Sequence, residues 1–154
     1  MEAEKAINNF FDIQDSKYFT KFIWKIENFS QINSDIGNRV DSCIFCCPNY
    51  PDIRFRLGIN PNGSSDINKG FLSVYLWIGT SVDIYSRISM ELLNNKYESK
   101  YIKERQDTVY NNSDQGWGFD QFCHRNIVLD QDNGYLDKDI LTIRCKIFIK
   151  FYEL

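Results

Sequence analysis

Histidine is nearly absent from this sequence, and the only one, His124, directly follows Cys123. Neighbouring residues of a strand point to opposite faces, so these two side chains are poorly placed to act as a nucleophile and its base. A zinc site needs a full set of ligands, usually two close pairs. The five cysteines, at positions 43, 46, 47, 123 and 145, do not supply that pattern. We therefore expect no catalytic residue, no metal and no cofactor.

Long apolar runs and charge runs are missing as well. No segment approaches the roughly 18 apolar residues of a membrane span, and the acidic start of the chain has no apolar stretch of the signal-peptide type. The net charge is only −3, without any run of Lys or Arg, which does not favour nucleic acid or a membrane as partner. An odd number of scattered cysteines predicts reduced thiols, so we expect an intracellular protein of the cytoplasm or nucleus.

The composition that remains is that of one globular domain. The chain of 154 residues is long enough for a single hydrophobic core and short for two. Hydrophobic residues make up 43% of it, and the high aromatic share of 16% favours strands. Residues 1–17 mix Asn, Asp, Glu and Lys with few apolar residues. We expect a flexible tail there, before a domain over residues 18–152.

Alternation of apolar and polar residues dominates the chain from Tyr18 onward, and it predicts half-buried strands. Six of the predicted strands cover residues 19–26, 39–47, 52–60, 71–78, 84–93 and 141–151. The expected inward faces include Phe22, Trp24 and Ile26; Ile53, Phe55, Leu57 and Ile59; Leu72, Val74, Leu76 and Ile78; Ile84, Ile88, Met90 and Leu92; and Leu141, Ile143, Cys145, Ile147, Ile149 and Phe151. With turns about every ten residues, this pattern predicts an antiparallel β-sandwich of about seven or eight strands.

Two segments of this pattern are distinctive. Residues 39–47 are expected to alternate as one strand until Pro48, with one face made of Val40, Ser42, Ile44 and Cys46. Residues 97–108 are charged and only weakly apolar, so we expect an exposed edge or loop there.

Glycine flanks Trp117 on both sides in the run QGWGFDQF, residues 115–122. A core does not require this, and glycine in a strand usually marks a bend or a close approach of another backbone. Trp117 and Phe119 share one face of an extended chain. The predicted strand 71–78 also has an aromatic face, which contains Tyr75. Ordinary core residues are one interpretation of these aromatic side chains, and a binding groove is the other.

Several runs of the chain, in order, resemble the MATH domain, also called the TRAF-like domain, and most of all its speckle-type POZ branch. They are FIWKIENFS (22–30), RLGINPNG (56–63), FLSVYL (71–76), WGFDQF (117–122), LDQDNGYL (129–136) and DILTI (139–143). The resemblance implies an eight-stranded antiparallel β-sandwich that grips a short Ser/Thr-rich peptide. Proteins of that branch are substrate adaptors for cullin-based ubiquitin ligases, and they bind the cullin through a BTB/POZ domain, which these 154 residues do not include.

The same resemblance implies where the peptide is bound. It places the groove on Tyr75, Ile88, Tyr110, Trp117, Gly118 and Phe119. Ile88 stands where the family has a phenylalanine, and Tyr110 matches the family's tyrosine only if a gap of one residue is allowed; otherwise Val109 does. The family's Lys-Asp pair ahead of the tryptophan is Gln115-Gly116 here. These departures bear on peptide preference.

The sequence therefore predicts a monomeric peptide-recognition module that is not an enzyme and that reaches a cullin ligase only through a domain outside this chain. An orphan domain that competes with such adaptors, or serves as a signalling scaffold, is one alternative. A glycan-binding sandwich with an aromatic platform is another. Arg54 and Arg56 share a strand face, which is either solvated or receives an acidic or phosphorylated ligand. Asp130 and Asp132 are expected to cap a loop.

Overall fold

Ten β-strands, one short α-helix and three 3₁₀ turns are the regular elements in the part of the chain that the structure, a computed structural model, describes. That part is residues 19–81, 83–110 and 115–151; of residues 106–110 and 115 only the backbone is described. The elements are β1 (Phe19–Ile26), β2 (Val40–Asp41), β3 (Phe45–Cys47), β4 (Tyr50–Asn60), β5 (Phe71–Gly79), β6 (Ile84–Leu93), β7 (Ser99–Tyr110), β8 (Gln115–His124), α1 (Arg125–Leu129), β9 (Leu136–Asp137) and β10 (Ile140–Phe151). The proposed tail, residues 1–17, lies outside the described residues.

The strands form two antiparallel sheets that pack face to face. The first sheet has the order β1-β10-β6-β7, with β9 paired to β10, and the second has the order β2-β4-β5-β8, with β3 paired to β4. The antiparallel sandwich expected from the sequence is confirmed. Seven of the described strands are long, and β2, β3 and β9 are two or three residues each, close to the expected count of eight.

The core lies between the two inner faces, and the period-two pattern explains it. Residues that alternate along a strand share one face, and the predicted inward sets of β4, β5, β6 and β10 are buried, apart from Phe151, which is partly buried. They include Ile53, Phe55, Leu57 and Ile59 on β4 and Leu72, Val74, Leu76 and Ile78 on β5. Burying each such side chain contributes about 1.5–3 kcal/mol. The prediction of these faces is confirmed.

The single strand predicted over residues 39–47 is wrong. It is divided into β2 and β3 at Ser42, whose N–H still donates to the Leu57 carbonyl at 2.8 Å but whose side chain takes the return bond. The Ser42 hydroxyl accepts from Leu57 N–H at 2.9 Å and donates to the Cys43 carbonyl at 2.8 Å. The alternation changes phase after this break, so Ile44 is 63% exposed and Cys46 is also exposed. Phe45 turns inward instead and stacks on Phe22, with ring centroids 4.1 Å apart.

The charged segment predicted as an edge or loop is an edge strand. It forms β7, which pairs along its length with β6. After β8, Asp130 accepts from the N–H of Asp132 at 3.0 Å and so caps a 3₁₀ turn, as expected for this loop. In the described ranges, no helix is long and apolar enough to cross a bilayer.

Candidate functional site

Strand β8 is the outermost strand of the second sheet. Among the described residues it pairs with β5 on one side only, and on its other side it meets β7 of the first sheet without a ladder of backbone bonds. An unpaired edge presents backbone N–H and C=O groups to an incoming chain. The seam between β7 and β8 therefore contains an edge of β8 that pairs with no described strand.

The register of β8 against β5 decides which way each side chain points. Trp117 lies opposite Leu76 and Phe119 opposite Val74. Residues directly opposite in an antiparallel pair share a face, and Leu76 and Val74 are fully buried. The rings of Trp117 and Phe119 therefore point inward, where they are partly buried and pack against the core. The core interpretation therefore describes part of their surroundings, and the groove stays a prediction.

The inward side of the seam also receives residues from the first sheet. Ile88 on β6 is 2% exposed and lies opposite Arg105 on β7. The Arg105 guanidinium carbon lies 4.3 Å from the centre of the Trp117 ring, and Nη1 donates to the Gly118 carbonyl at 3.5 Å. The sequence pattern does not single out Arg105, because it belongs to a charged stretch that predicts an exposed edge or loop. Inward orientation of a cation has no signal in the alternation pattern.

The outward side of β8 carries no side chain at two alternate positions. Gly118 lies opposite Tyr75, and Gly116 lies opposite Trp77. A Cβ on Gly118 would stand 2.1 Å from the Val74 carbonyl oxygen, and one on Gly116 would stand 2.5 Å from Nε1 of Trp77. Neither glycine has a positive φ. Close approach of β5, and of the indole that lies over the strand, is therefore the reason for glycine at both positions.

Polar groups surround this bare surface. The Tyr75 hydroxyl donates to Asp120 Oδ1 at 2.5 Å. Burial and this hydrogen bond raise the pKa of Tyr75, so the phenol stays a donor in neutral solution. Beside it a hollow of about 710 Å³ opens over Trp77, with walls that include Arg39, Asp41, Asn60 and Ser64. The outer surface therefore combines aromatic rings with hydroxyl, amide and charged groups.

The predicted groove residues are thus divided between two faces. Ile88, Trp117 and Phe119 lie on the inner side of the seam, whereas Tyr75 lies on the outer face of the sheet. The register separates Tyr75 from the other three, since it lies opposite Gly118 and not opposite either ring, and the groove stays a prediction. The backbone of Tyr110 pairs with Ile84 at the end of β7. Its side chain lies outside the described residues, as does Asp114.

The cysteines and the histidine differ in their exposure. Cys43 and Cys46 are exposed, and Cys47, Cys123 and Cys145 are buried. Burial raises the pKa of the Cys123 and Cys145 thiols. The exposed His124 packs on the ring of Phe71 with centroids 4.4 Å apart, on the face opposite to Cys123. Across residues 19–81, 83–110 and 115–151, no cluster of three or more His, Cys, Asp or Glu side chains is arranged for a metal ion.

An antiparallel sandwich with an open, glycine-bearing edge strand is suited to binding other chains. Comparison with known proteins agrees with this class: the family model of the MATH domain matches residues 21–147. The chain therefore belongs to the MATH-domain family, whose members are protein-interaction modules. Among solved structures, TRAF5 of Notothenia coriiceps is similar at 15% sequence identity and a TM-score of 0.63, over 99% of this chain and 85% of that one. At this identity the likeness shows the TRAF-like fold.

Proposed function

We propose that the protein binds an extended segment of a partner protein as an added strand along the free edge of β8. The observation that supports this is the edge itself, where two inward aromatic rings alternate with two glycines on a strand paired on one side only. In strand addition, main-chain hydrogen bonds supply affinity and pockets for alternate side chains supply selectivity. Trp117, which stands between two glycines, would then contact the bound segment.

The inward-facing side chains of such a segment would enter the seam beside Trp117 and Phe119, above Ile88. Partly buried aromatic rings give a large contact area at low entropic cost. These three are among the six residues that the MATH-domain resemblance places in the groove, and they share the inner side.

The outward-facing side chains would pass over Gly118, next to the Trp77 indole that covers Gly116. There they would meet Tyr75 and Asp120, which already share a hydrogen bond. A serine or threonine hydroxyl both donates and accepts, so it can bond to the Asp120 carboxylate and to the Tyr75 phenol. We therefore propose a ligand that contains Ser or Thr at an outward-facing position.

We further propose that binding serves to recruit substrates to a cullin-type ubiquitin ligase in the cytoplasm or nucleus. The support is the likeness of residues 22–30, 71–76 and 117–122 to the speckle-type POZ branch, in which a separate domain contacts the cullin. A domain that competes with such adaptors, or serves as a scaffold, is the second candidate. Co-purification of a cullin with the native gene product separates the two, since a pure competitor brings none with it.

A glycan ligand has less support. Stacked sugars need an accessible ring face, and the outer-face indole of Trp77 has the guanidinium carbons of Arg39 and Arg56 at 4.9 Å and 5.4 Å from its centre. Retention of the protein on a glycan array would revive this candidate.

A peptide-library screen followed by fluorescence polarisation tests the proposal. Trp117→Ala should weaken binding of the selected peptides by about tenfold or more, as for a central interface aromatic residue. Tyr75→Phe should weaken only Ser- or Thr-containing peptides. Trp24→Ala and Tyr97→Phe are matched controls, since Trp24 packs against the core from β1 and Tyr97 is an exposed turn residue.

Hydrogen exchange locates the bound segment. Backbone amides of β8 should exchange more slowly when peptide is present, because the added strand accepts from them. If folded Trp117→Ala binds every selected peptide as well as the unchanged protein, and β8 gains no protection, the site is elsewhere.

A further inference from the structure

Two cations of β7 point into the seam beside β8. Lys103 lies opposite Met90 and Arg105 opposite Ile88, and both of these β6 residues are buried on the inner face. Residues 102 and 104 of β7 face outward instead. The Lys103 ammonium donates to the Gln121 carbonyl at 2.7 Å, and Arg105 donates to the Gly118 carbonyl at 3.5 Å. Both cations therefore reach carbonyl groups of the strand that we propose as the binding edge.

Neither cation has an acidic partner in the described part of the chain. The ion pairs there join Arg39 to Asp41, Arg87 to Glu104, and both Arg144 and Lys146 to Glu91. Asp120, the carboxylate nearest in sequence to Gly118, is engaged by the Tyr75 hydroxyl.

Without a counterion, which none of the described residues supplies, a cation in this position is unfavourable. Arg105 is only partly exposed, and its guanidinium lies over the Trp117 ring and, among the described residues, donates one long hydrogen bond. Removing a charge from water costs free energy unless an opposite charge and good hydrogen bonds compensate. An anion that enters the seam would supply that compensation.

We propose that Arg105 selects an acidic or phosphorylated side chain at the inward-facing position of the bound segment beside Trp117. This inference rests on the proposed addition of a strand to β8. The planar guanidinium matches a carboxylate or phosphate with two parallel bonds. When it turns to the anion, the Gly118 carbonyl is released and can accept an N–H from the added strand. Lys103 adds a second positive charge to the same seam.

A purely structural role makes a different prediction. Inward-pointing charges on an edge strand also protect it from aberrant pairing, and in that role Arg105 would only shield the carbonyls of β8. Its replacement would then change stability or self-association and leave peptide selection unchanged.

The test is a screen of immobilised random nonapeptides, in an unmodified arm and a phosphoserine arm, on the unchanged protein and on Arg105→Met. Methionine keeps an unbranched stem and removes the charge. The unchanged protein should enrich Asp, Glu or phosphoserine at one position, and that enrichment should disappear in Arg105→Met. Arg87→Met, on the outer face of β6 in the same sheet, is the matched control and should retain it. The arm with stronger enrichment tells carboxylate from phosphate.

Affinities then give the size of the effect. An enriched acidic peptide should bind Arg105→Met about tenfold more weakly, and Arg105→Lys should recover part of the loss, since a charge remains without the fork. Arg105→Glu should lose the preference for an acidic residue and gain a preference for Lys or Arg at the same position. Circular dichroism establishes that each variant is folded.

The remaining outcomes distinguish a failure of the proposed role of Arg105 from a failure of strand addition to β8. Peptides that bind and protect β8 but show no acidic preference, or bind Arg105→Met equally, refute the role of Arg105 and leave strand addition in place. Peptides that bind without protecting β8, or a library from which none binds, refute strand addition and the role of Arg105 with it.

Discussion

Tyr75 and Gly118 stand directly opposite each other in the ladder between β5 and β8, and the strands are so close that Gly118 has no room for a methyl group. A Cβ there would lie 2.1 Å from the Val74 carbonyl oxygen and 2.7 Å from the Tyr75 Cα. These are backbone atoms, which cannot rotate away. The close contact and the bare outer surface are one and the same feature.

Gly118→Ala should therefore lower the free energy of unfolding by about 1–3 kcal/mol, as overpacking does. Where space allows, the same substitution raises stability by about 0.4–1 kcal/mol, through the entropy of the unfolded chain. Urea denaturation shows whether Gly118→Ala lowers or raises the free energy of unfolding. Gly116→Ala should cost less, because the atoms it meets belong to the Trp77 side chain. A gain in stability for Gly118→Ala would contradict the contact.

The ion cluster on the outer face of the first sheet is expected to contribute to stability. The Glu91 side chain is 4% exposed and pairs with Arg144 and, at 3.6 Å, with Lys146. Glu91→Gln leaves two partly buried cations without a counterion, so it should cost about 3 kcal/mol in urea denaturation.

Glu104→Gln is the matched control for that change. Its pair with Arg87 is exposed and 3.8 Å long, so it should cost less than about 1 kcal/mol. Equal losses for the two variants would show that burial of Glu91 does not matter.

The thiols should fall into a fast and a slow class. Cys43 and Cys46 are exposed, whereas Cys47, Cys123 and Cys145 are buried, and burial raises the pKa of Cys123 and Cys145. A raised pKa means that folding favours the protonated thiol. That contribution is present below the unfolded thiol pKa, about 8.5, and is lost as pH rises through the folded value. Since the thiolate is the reactive form, a disulfide reagent at about pH 8 should modify two thiols quickly.

Denaturant should expose the other three. Mass spectrometry identifies the labelled positions, and rapid labelling of Cys145 in the folded protein would be inconsistent with its burial.

Asp139 ties the β9–β10 turn to the segment after β1. Its carboxylate accepts from Ser30 N–H at 2.9 Å and from the Ser30 hydroxyl at 2.7 Å, and its φ is 63°. Asp139→Ala loses both bonds and places alanine in the left-handed region, so it should cost about 1–3 kcal/mol in thermal or urea unfolding. Asparagine tolerates this conformation and keeps an acceptor, so Asp139→Asn should recover most of the loss. If Asp139→Asn lowers stability as much as Asp139→Ala does, the negative charge of Asp139 is what stabilises the turn.

The sequence predicts most where neighbours along the chain decide the outcome. The inward faces of β4 and β5 follow from alternation alone, because a strand with apolar residues at every second position can bury only one face. Alternation does not predict the break at Ser42 in the strand expected over residues 39–47, since the Ser42 hydroxyl bonds to a residue fifteen positions away. The site depends on register between strands distant in sequence, which sets Gly118 against Tyr75 and turns Arg105 toward Trp117. Alternation within one strand carries no information on either pairing.

An irregularity in the pairing of β8 limits how many residues of a ligand this strand can contact. While β5 advances two residues, from Val74 to Leu72, β8 advances four, from Phe119 to Cys123. A segment laid along the regular part, Gln115 to Phe119, spans about 17 Å. Motifs of some five residues occur by chance in many proteins. Discrimination among partners would then come from how many copies of the motif one partner carries, because closely spaced copies raise the effective concentration at the edge of β8.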